Sequence, residues 1–393
     1  MPFAFDQAVS RRGTDSLKWD VKENELPMWV ADMDFETAPE IRAAIENRAA
    51  HGIYGYTVIP DAWYYAYINW WRTRHQIDIH KEWLIFCTGV VPAISSMVRK
   101  LTTPAEKVVL LTPVYNIFFN SVQNNGRQVL ECPLHYDGNT YEVDFEKLEA
   151  ALADPQTALF ILCNPHNPTG NIWNKDVLTR IGDLCAEHGV TVISDEIHCD
   201  LTMPGKDYIP FASVSDACRD NSITCLAPTK AFNLAGLQTA AVCIPNPRLR
   251  HKVWRALNTD EVAEPNVFAA EAAIAAFTKG EAWLDALRNY LLENRKAAED
   301  FLEKEIPHVH AVQAEATYLL WIDCRGIIGN VSQMCDFIRK QTGLYLSEGS
   351  QFGKNGTEFL RMNLACPRPV LQRGLDLLKK GVSQYEDWVV RQC

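Results

Sequence analysis

Between Glu82 and Pro245 the chain repeats one pattern, in which a short apolar run is followed by an amphipathic stretch. The runs are "WLIFCTG", "VVLLTPVY", "ALFILCNP", "VTVISDE", "SITCLAP" and "AAVCIP". Short continuous apolar runs suit strands buried on both faces, and the amphipathic stretches between them suit crossover helices, so the pattern predicts an α/β fold with a mainly parallel sheet. In "NKDVLTRIGDLCAEHG", Val177, Leu178, Ile181, Leu184 and Cys185 share one helical face and Gly189 is the expected C-cap.

After Pro265 the character changes. "NVFAAEAAIAAF" and "EAWLDALRNYLLENRKAAEDFLEKE" are rich in strong helix formers, and the second is long enough to bridge two units. Strand candidates "ATYLLWID" and "FLRMNLA" and helices around "SQMCDFIRKQ" and "VLQRGLDLLKKGV" then predict a smaller α+β unit. The expected division is a large domain over 46–284, with 1–45 and 285–393 forming an N-terminal arm and a small C-terminal domain. No internal repeat or low-complexity tract interrupts this layout.

Composition narrows the function classes. A chain of 393 residues with 47% hydrophobic content can bury a sizeable core, and a formal net charge of −11 disfavours nucleic acid and anionic membrane as partners. The basic cluster "PRLRHKVWR" reads as an amphipathic helix with a solvated face. The start "MPFAFDQAVSRRG" lacks the features of a secretory signal, and no apolar run approaches the ~20 residues that span a bilayer. The twelve cysteines include no C-x-x-C pair and sit mostly in apolar strings, which predicts reduced thiols and a cytoplasmic protein.

Ligands of open α/β sheets bind beyond the carboxyl ends of the strands, and four such ends carry unusual chemistry here. Thr88 and Gly89 precede a helix start with Pro92 in its first turn, where free N–H groups can seat a phosphate. "NPHNPTG", Asn164 to Gly170, is a stiff non-helical loop that presents the amide of Asn167. Asp195 ends a buried strand and therefore needs a cation or donor. With Glu196, His198, Cys199 and Asp200 it could suggest a metal, but no second ligand cluster with zinc-like spacing exists, so none is expected. Lys230 follows "SITCLAPT" among apolar residues, where desolvation favours a neutral nucleophilic amine. Each feature alone has an ordinary structural reading: a helix cap, a rigid turn, a buried ion pair, a surface lysine. Together they fit one ligand with an aldehyde, a ring nitrogen and a phosphate, which is pyridoxal phosphate.

The series "TGVV", "TPVYNIFF", "NPHNPTG", "SDEIH", "APTKAFNLAGLQ" and "RMNLACPR" resembles the class I/II aminotransferase superfamily, fold type I of the pyridoxal-phosphate enzymes. More narrowly, "WVADMDFETAPEI", "GIYGYT", "SDEIHCDL" and "KAFNLAGLQ" look like the MalY/PatB group of cystathionine β-lyases. The resemblance spans nearly the whole chain. It implies that Lys230 forms the Schiff base with the cofactor aldehyde, Asp195 keeps the ring nitrogen protonated, and Asn167 donates to the phenolic oxygen. His198 stands where many relatives carry a tyrosine that reaches the same oxygen. Tyr115 would stack on the ring, and the N–H groups of Val90 and Val91 would seat the phosphate. Arg361 would hold the substrate carboxylate, with Trp29, Asp32 and Tyr318 as candidates for the substrate wall. Tyr56 would reach the phosphate of a neighbouring subunit, implying a homodimer with shared sites.

Two positions depart from the wider superfamily. Ala227 and Gln238 stand where many aminotransferases carry a hydroxyl residue and an arginine that bind phosphate, which leaves Thr229 as the nearest side-chain candidate. The glutamine belongs to the "NLAGLQ" pattern of the lyase group. The implied activity is a C–S β-lyase acting on cystathionine or related cysteine S-conjugates. Aminotransferase activity on the same fold is the alternative, as is a regulatory protein that retains the enzyme fold.

Overall fold

In the computed structural model, which describes residues 3–392, the apolar runs become a seven-stranded sheet. Its strands are β1 (Leu84–Cys87), β2 (Lys107–Thr112), β3 (Gln128–Pro133), β4 (Thr157–Cys163), β5 (Thr191–Asp195), β6 (Ser222–Leu226) and β7 (Ala240–Cys243). They lie in the order β1-β7-β6-β5-β4-β2-β3, and all pairings are parallel except those that β7 makes with β1 and β6.

The apolar runs are continuous because the sheet is covered on both faces. Val108, Leu110, Leu159, Ile161 and Ile193 pack with α3 (Val90–Leu101), while their neighbours Val109, Leu111, Phe160, Leu162 and Val192 pack with α4 (Lys175–Glu187). In α4 the residues Leu178, Ile181, Leu184 and Cys185 are buried, and Gly189 beyond its end has φ +69°, the left-handed conformation that glycine adopts at least cost. The basic cluster lies in α5 (Pro247–Thr259), whose buried positions are Val253, Ala256 and Leu257.

Two further helices, α6 (Ala269–Lys279) and α7 (Glu281–Glu305), follow the large sheet. The buried face of α6 is almost all alanine, which lets it lie closely against Trp63, Tyr67, Trp70 and Trp71 of the helix Asp61–His75. Leu284, Leu287 and Leu291 of α7 belong to that core, whereas Ala298 and Leu302 belong to a second one. The second core lies under an antiparallel four-stranded sheet of β8 (His310–Ala311), β9 (Leu319–Asp323), β10 (Ser347–Glu348) and β11 (Phe359–Asn363), in the order β8-β9-β11-β10. Its helices are α8 (Val331–Thr342) and α9 (Arg368–Gln392).

The N-terminal segment joins the two sheets. Leu26–Pro27 pairs in parallel with Leu344–Tyr345, and the irregular strap 29–35 then runs toward the carboxyl ends of β5 and β6. Among the described residues no helix is long and apolar enough to cross a membrane. Among the described residues eleven cysteines are free thiols, ten of them buried and Cys335 partly so.

Candidate active site

The carboxyl ends of the central strands open onto a cavity of about 270 Å³. Its lining includes Thr88, Val90, Val91, Tyr115, Asn167, Asp195, His198, Thr229, Lys230 and Gln238. Residues that are far apart in sequence meet here because each follows the end of a different strand of one sheet.

At one end of the cavity α3 begins. Gly89 is its N-cap, Pro92 in the first turn carries no N–H, and the first intrahelical bond runs from Ala93 to the Gly89 carbonyl at 3.1 Å. The donors left at this terminus are therefore the N–H groups of Gly89, Val90 and Val91, with the helix dipole behind them. Apart from Lys230, no lysine or arginine among the described residues lines the cavity.

Asp195 lies at the end of β5 and is buried. Its carboxylate accepts the Ile197 N–H at 3.1 Å, but burial outweighs this bond and pushes the carboxyl up to about 7. Lys230 is shifted the opposite way: burial lowers its amine to about 8, against the pull of Asp32 and Asp195. Each group is driven toward neutrality while a cavity stands beside it. A ligand with a protonatable ring nitrogen restores the charge on Asp195, and one with an aldehyde meets an amine that gives up its proton more readily than an ordinary lysine.

His198, also buried, is held neutral with a pKa near about 3, first by burial and then by the positive charges of Lys230 and Arg361. Its Nδ1 has no hydrogen-bond partner. Tyr115 lines the same cavity with its hydroxyl held above the usual tyrosine range by burial.

Arg361 comes from β11 of the small sheet. Its Nη1 donates to Asn167 Oδ1 at 3.1 Å, and its Nη2 donates to the Trp29 carbonyl at 2.9 Å and to Ser347 Oγ at 3.4 Å. The Phe352 ring lies 4.7 Å from the guanidinium carbon. The bond to Arg361 fixes the orientation of the Asn167 amide: the oxygen faces the guanidinium, so Nδ2 is left as the donor. Arg361 Nε has no partner, and burial lowers the guanidinium to about 10, where it remains charged at neutral pH.

The remaining predicted residues are placed differently. Trp29 stacks on Tyr345 with centroids 4.8 Å apart, and its Nε1 has no partner. Asp32 is held by Arg11 through two bonds of 2.9 and 2.8 Å, and Tyr318 is buried with its hydroxyl on the Ala31 carbonyl at 2.9 Å. Tyr56 stands fully exposed and contributes nothing to the cavity of its own chain.

Several organising residues carried no assigned role in the sequence. Asn233 binds the Met33 and Phe35 carbonyls at 3.0 and 2.9 Å, Asn363 binds the Val30 and Asp32 carbonyls at 2.6 Å each, and buried Lys18 pairs with Asp34 at 2.8 Å. Asn233 lies within "KAFNLAGLQ", three residues after Lys230, and its φ of +57° is a conformation that asparagine tolerates better than most residues. For Asn363 and Lys18 no local pattern exists, because their partners are more than a dozen residues away.

The potential metal ligands of Ser194–Asp200 separate. Asp195 and His198 line the cavity, while Asp200 groups with Cys199 and His75 on another surface. There Trp70 Nε1 donates to both Asp200 oxygens at 3.0 and 3.1 Å, and His75 Nε2 lies 3.0 Å away.

Comparison with known proteins identifies the family. The model of the aminotransferase class I and II family matches residues 24–378. Cystathionine beta-lyase PatB of Bacillus subtilis is 42% identical, over 96% of this chain and 100% of the relative; protein MalY of Escherichia coli is 34% identical, over 95% and 97%. Among solved structures, cystalysin from Treponema denticola, which contains a pyridoxal 5'-phosphate cofactor, superposes with a TM-score of 0.95 at 33% identity, over 98% of this chain and 100% of that one. With a family match over most of its length and relatives this similar end to end, the chain belongs to the aminotransferase class I and II family and, within it, to the MalY/PatB group.

Proposed function

We propose that the protein is a pyridoxal-phosphate-dependent C–S β-lyase, which cleaves cystathionine or related cysteine S-conjugates to a thiol, pyruvate and ammonia. The observation that carries this reading is the cavity in which burial moves Lys230 and Asp195 in opposite directions, beside a helix N-terminus with free N–H groups. The donor set fits the cofactor: an amine for the aldehyde, a carboxyl for the ring nitrogen, an amide Nδ2 for the phenolic oxygen and helix N–H groups for the phosphate. Relatives named as cystathionine β-lyases support the choice of elimination.

When bound, the cofactor supplies an electron sink for the pair released as the Cα–H bond of an amino acid breaks. This chain's residues do the rest. Arg361 binds the substrate carboxylate through Nε, which has no partner, and Nη2, now on the Trp29 carbonyl, while Nη1 stays on Asn167 Oδ1; the edge of a guanidinium matches a carboxylate with two parallel bonds. Asn167, oriented by Arg361, couples the substrate clamp to the cofactor end. Lys230 Nζ takes the Cα proton. Asp195 retains its charge once it faces a protonated ring nitrogen, and this keeps the sink effective. His198, neutral, offers Nδ1 at the cavity wall without adding a charge.

The phosphate end lacks a cation of its own, and Thr229 with the N–H groups of Val90 and Val91 serves it. Tyr56, exposed with Ile53, Tyr54 and Val58, completes it from a second subunit in a homodimer. Residues 46–284 act as the cofactor-binding unit, and 1–45 with 285–393 as the arm and small unit. The test is incubation with a cysteine S-conjugate, with and without a keto acid. Thiol release that is independent of the keto acid supports elimination, whereas strict dependence on it makes the protein an aminotransferase.

A further inference from the structure

The strap 29–35 is tied down to an unusual degree for a segment without regular secondary structure. The Trp29 carbonyl accepts from Arg361 Nη2 and, at 3.0 Å, from Ser347 Oγ. Asn363 Nδ2 donates to the Val30 and Asp32 carbonyls, and Asn233 Nδ2 to those of Met33 and Phe35. Ala31 lies between the two carbonyls that Asn363 holds. Its own carbonyl receives two donors, Lys230 Nζ at 2.5 Å and the Tyr318 hydroxyl at 2.9 Å. Tyr318 is buried, so little solvent reaches that hydroxyl.

We infer that the Ala31 carbonyl, held in place by the Asn363 clamp on either side and shared with the Tyr318 hydroxyl, is the docking point of the Lys230 amine whenever that amine is not bonded to the cofactor. Tyr318 then shares that carbonyl with Lys230 and limits how tightly the amine holds its proton, rather than forming part of the substrate wall. The inference rests on the reading that Lys230 is the cofactor lysine.

The chemistry gives the docking point a use. When Lys230 takes the substrate proton, the Cα–H bond breaks and an N–H bond forms on Nζ. The released electron pair, which the bound cofactor would stabilise, forms the Cα–Cβ double bond as the C–S bond breaks with its pair on sulfur. The ammonium made in that step lies in a partly buried site, where a cation without an acceptor is costly. The Ala31 carbonyl is the acceptor already in place. It holds the proton on the strap side of the site until the leaving thiolate or water claims it.

A carbonyl oxygen that carries one donor is a stronger acceptor for an ammonium than one that carries two, and hydrogen bonding to the charged form raises the pKa of an amine. Removing the Tyr318 hydroxyl therefore raises the Lys230 pKa, and loosening the strap at Asn363 lowers it. The groups facing Lys230 from the surrounding elements are Asp195 and His198 after β5, Asp32 on the strap, Arg361 on β11, Tyr115 after β2 and Tyr318 before β9. Both changes leave every charge among them in place.

The test uses the full-length cofactor-free protein and pyridoxal phosphate, with the capture rate followed by visible absorption against pH. Ionisation of the cofactor itself is common to all samples, so differences in midpoint report Lys230. Tyr318→Phe should move the midpoint up by about half a pH unit or more, and Asn363→Ala should move it down. If Tyr318→Phe does not fold, Asn363→Ala carries the test with its opposite sign. Midpoints that coincide with the unaltered protein, or that move in the reverse directions, overturn the inference. Capture with the same absorption change by Lys230→Ala overturns the underlying reading instead.

Discussion

Ser194–Asp200 supplies two clusters of buried polar groups that differ in one respect. Asp195 accepts one hydrogen bond, from the Ile197 N–H, and His198 Nδ1 accepts none; both line the cavity beyond the sheet. Glu196 and Asp200, from the same stretch, face away and are satisfied. Glu196 accepts from Ser194 Oγ at 2.8 Å, from the Phe211 N–H at 2.9 Å and from the Tyr208 hydroxyl, while Asp200 accepts from Trp70 and lies beside His75. Residue type does not separate the clusters, since each holds a buried carboxylate and an imidazole. What separates them is unmet hydrogen-bonding capacity: the satisfied cluster holds helix Asp61–His75 and the loop at Phe211 against the sheet, and the unsatisfied one waits for a ligand.

Four substitutions sharpen or break that contrast. The largest effect belongs to Lys230→Ala, which should abolish the visible absorption gained with pyridoxal phosphate and lower lyase turnover by more than about a thousandfold. Asp195→Asn should come next, with turnover down roughly a hundredfold or more because the ring nitrogen loses its counter-charge.

The same variant carries a pH signature in the cofactor-free protein. The folded pKa of Asp195 is raised to about 7 from 3.8, so folding favours its protonated form. Its contribution to stability is complete below pH 4 and is lost as pH rises through about 7. Denaturation midpoints measured across that window should fall less steeply in Asp195→Asn than in the unaltered protein. Part of the slope should persist, because Glu196 is raised over the same range, chiefly by burial.

Arg361→Lys should raise KM by about ten- to a hundredfold with a smaller change in kcat, as expected when a two-pronged carboxylate clamp becomes a point charge; steady-state kinetics on one S-conjugate checks it. Asp200→Ala should have the smallest effect on turnover. It should cost about 1–3 kcal/mol of stability by stranding the Trp70 N–H, while the cofactor absorption band is unchanged. A loss of that band as large as in Asp195→Asn would erase the distinction between the clusters.

Much of this was legible in the sequence for a physical reason. Strands buried on both faces must be apolar throughout, and the residue after each strand is where a side chain can leave the sheet, so the runs led to Asp195, Asn167 and Lys230 in turn. The helix start at Val90 was marked by Thr88, Gly89 and Pro92. The strap was not legible. Residues 29–35 have no periodicity, and their order comes from Arg361, Asn363, Tyr318 and Asn233, each about 200 or more positions away. The resemblance placed Asp32 and Tyr318 near substrate, yet sequence could not show that Arg11 and the Ala31 carbonyl occupy their polar atoms.

The central claim is that this site breaks a carbon–sulfur bond by elimination. Its most direct measurement is the product ratio from L-cystathionine with the cofactor-loaded protein and no keto acid present. Elimination gives equimolar pyruvate, ammonia and free thiol, all lost together in Lys230→Ala. No pyruvate or free thiol without a keto acid, and amino-group transfer with the C–S bond intact once one is added, would contradict it.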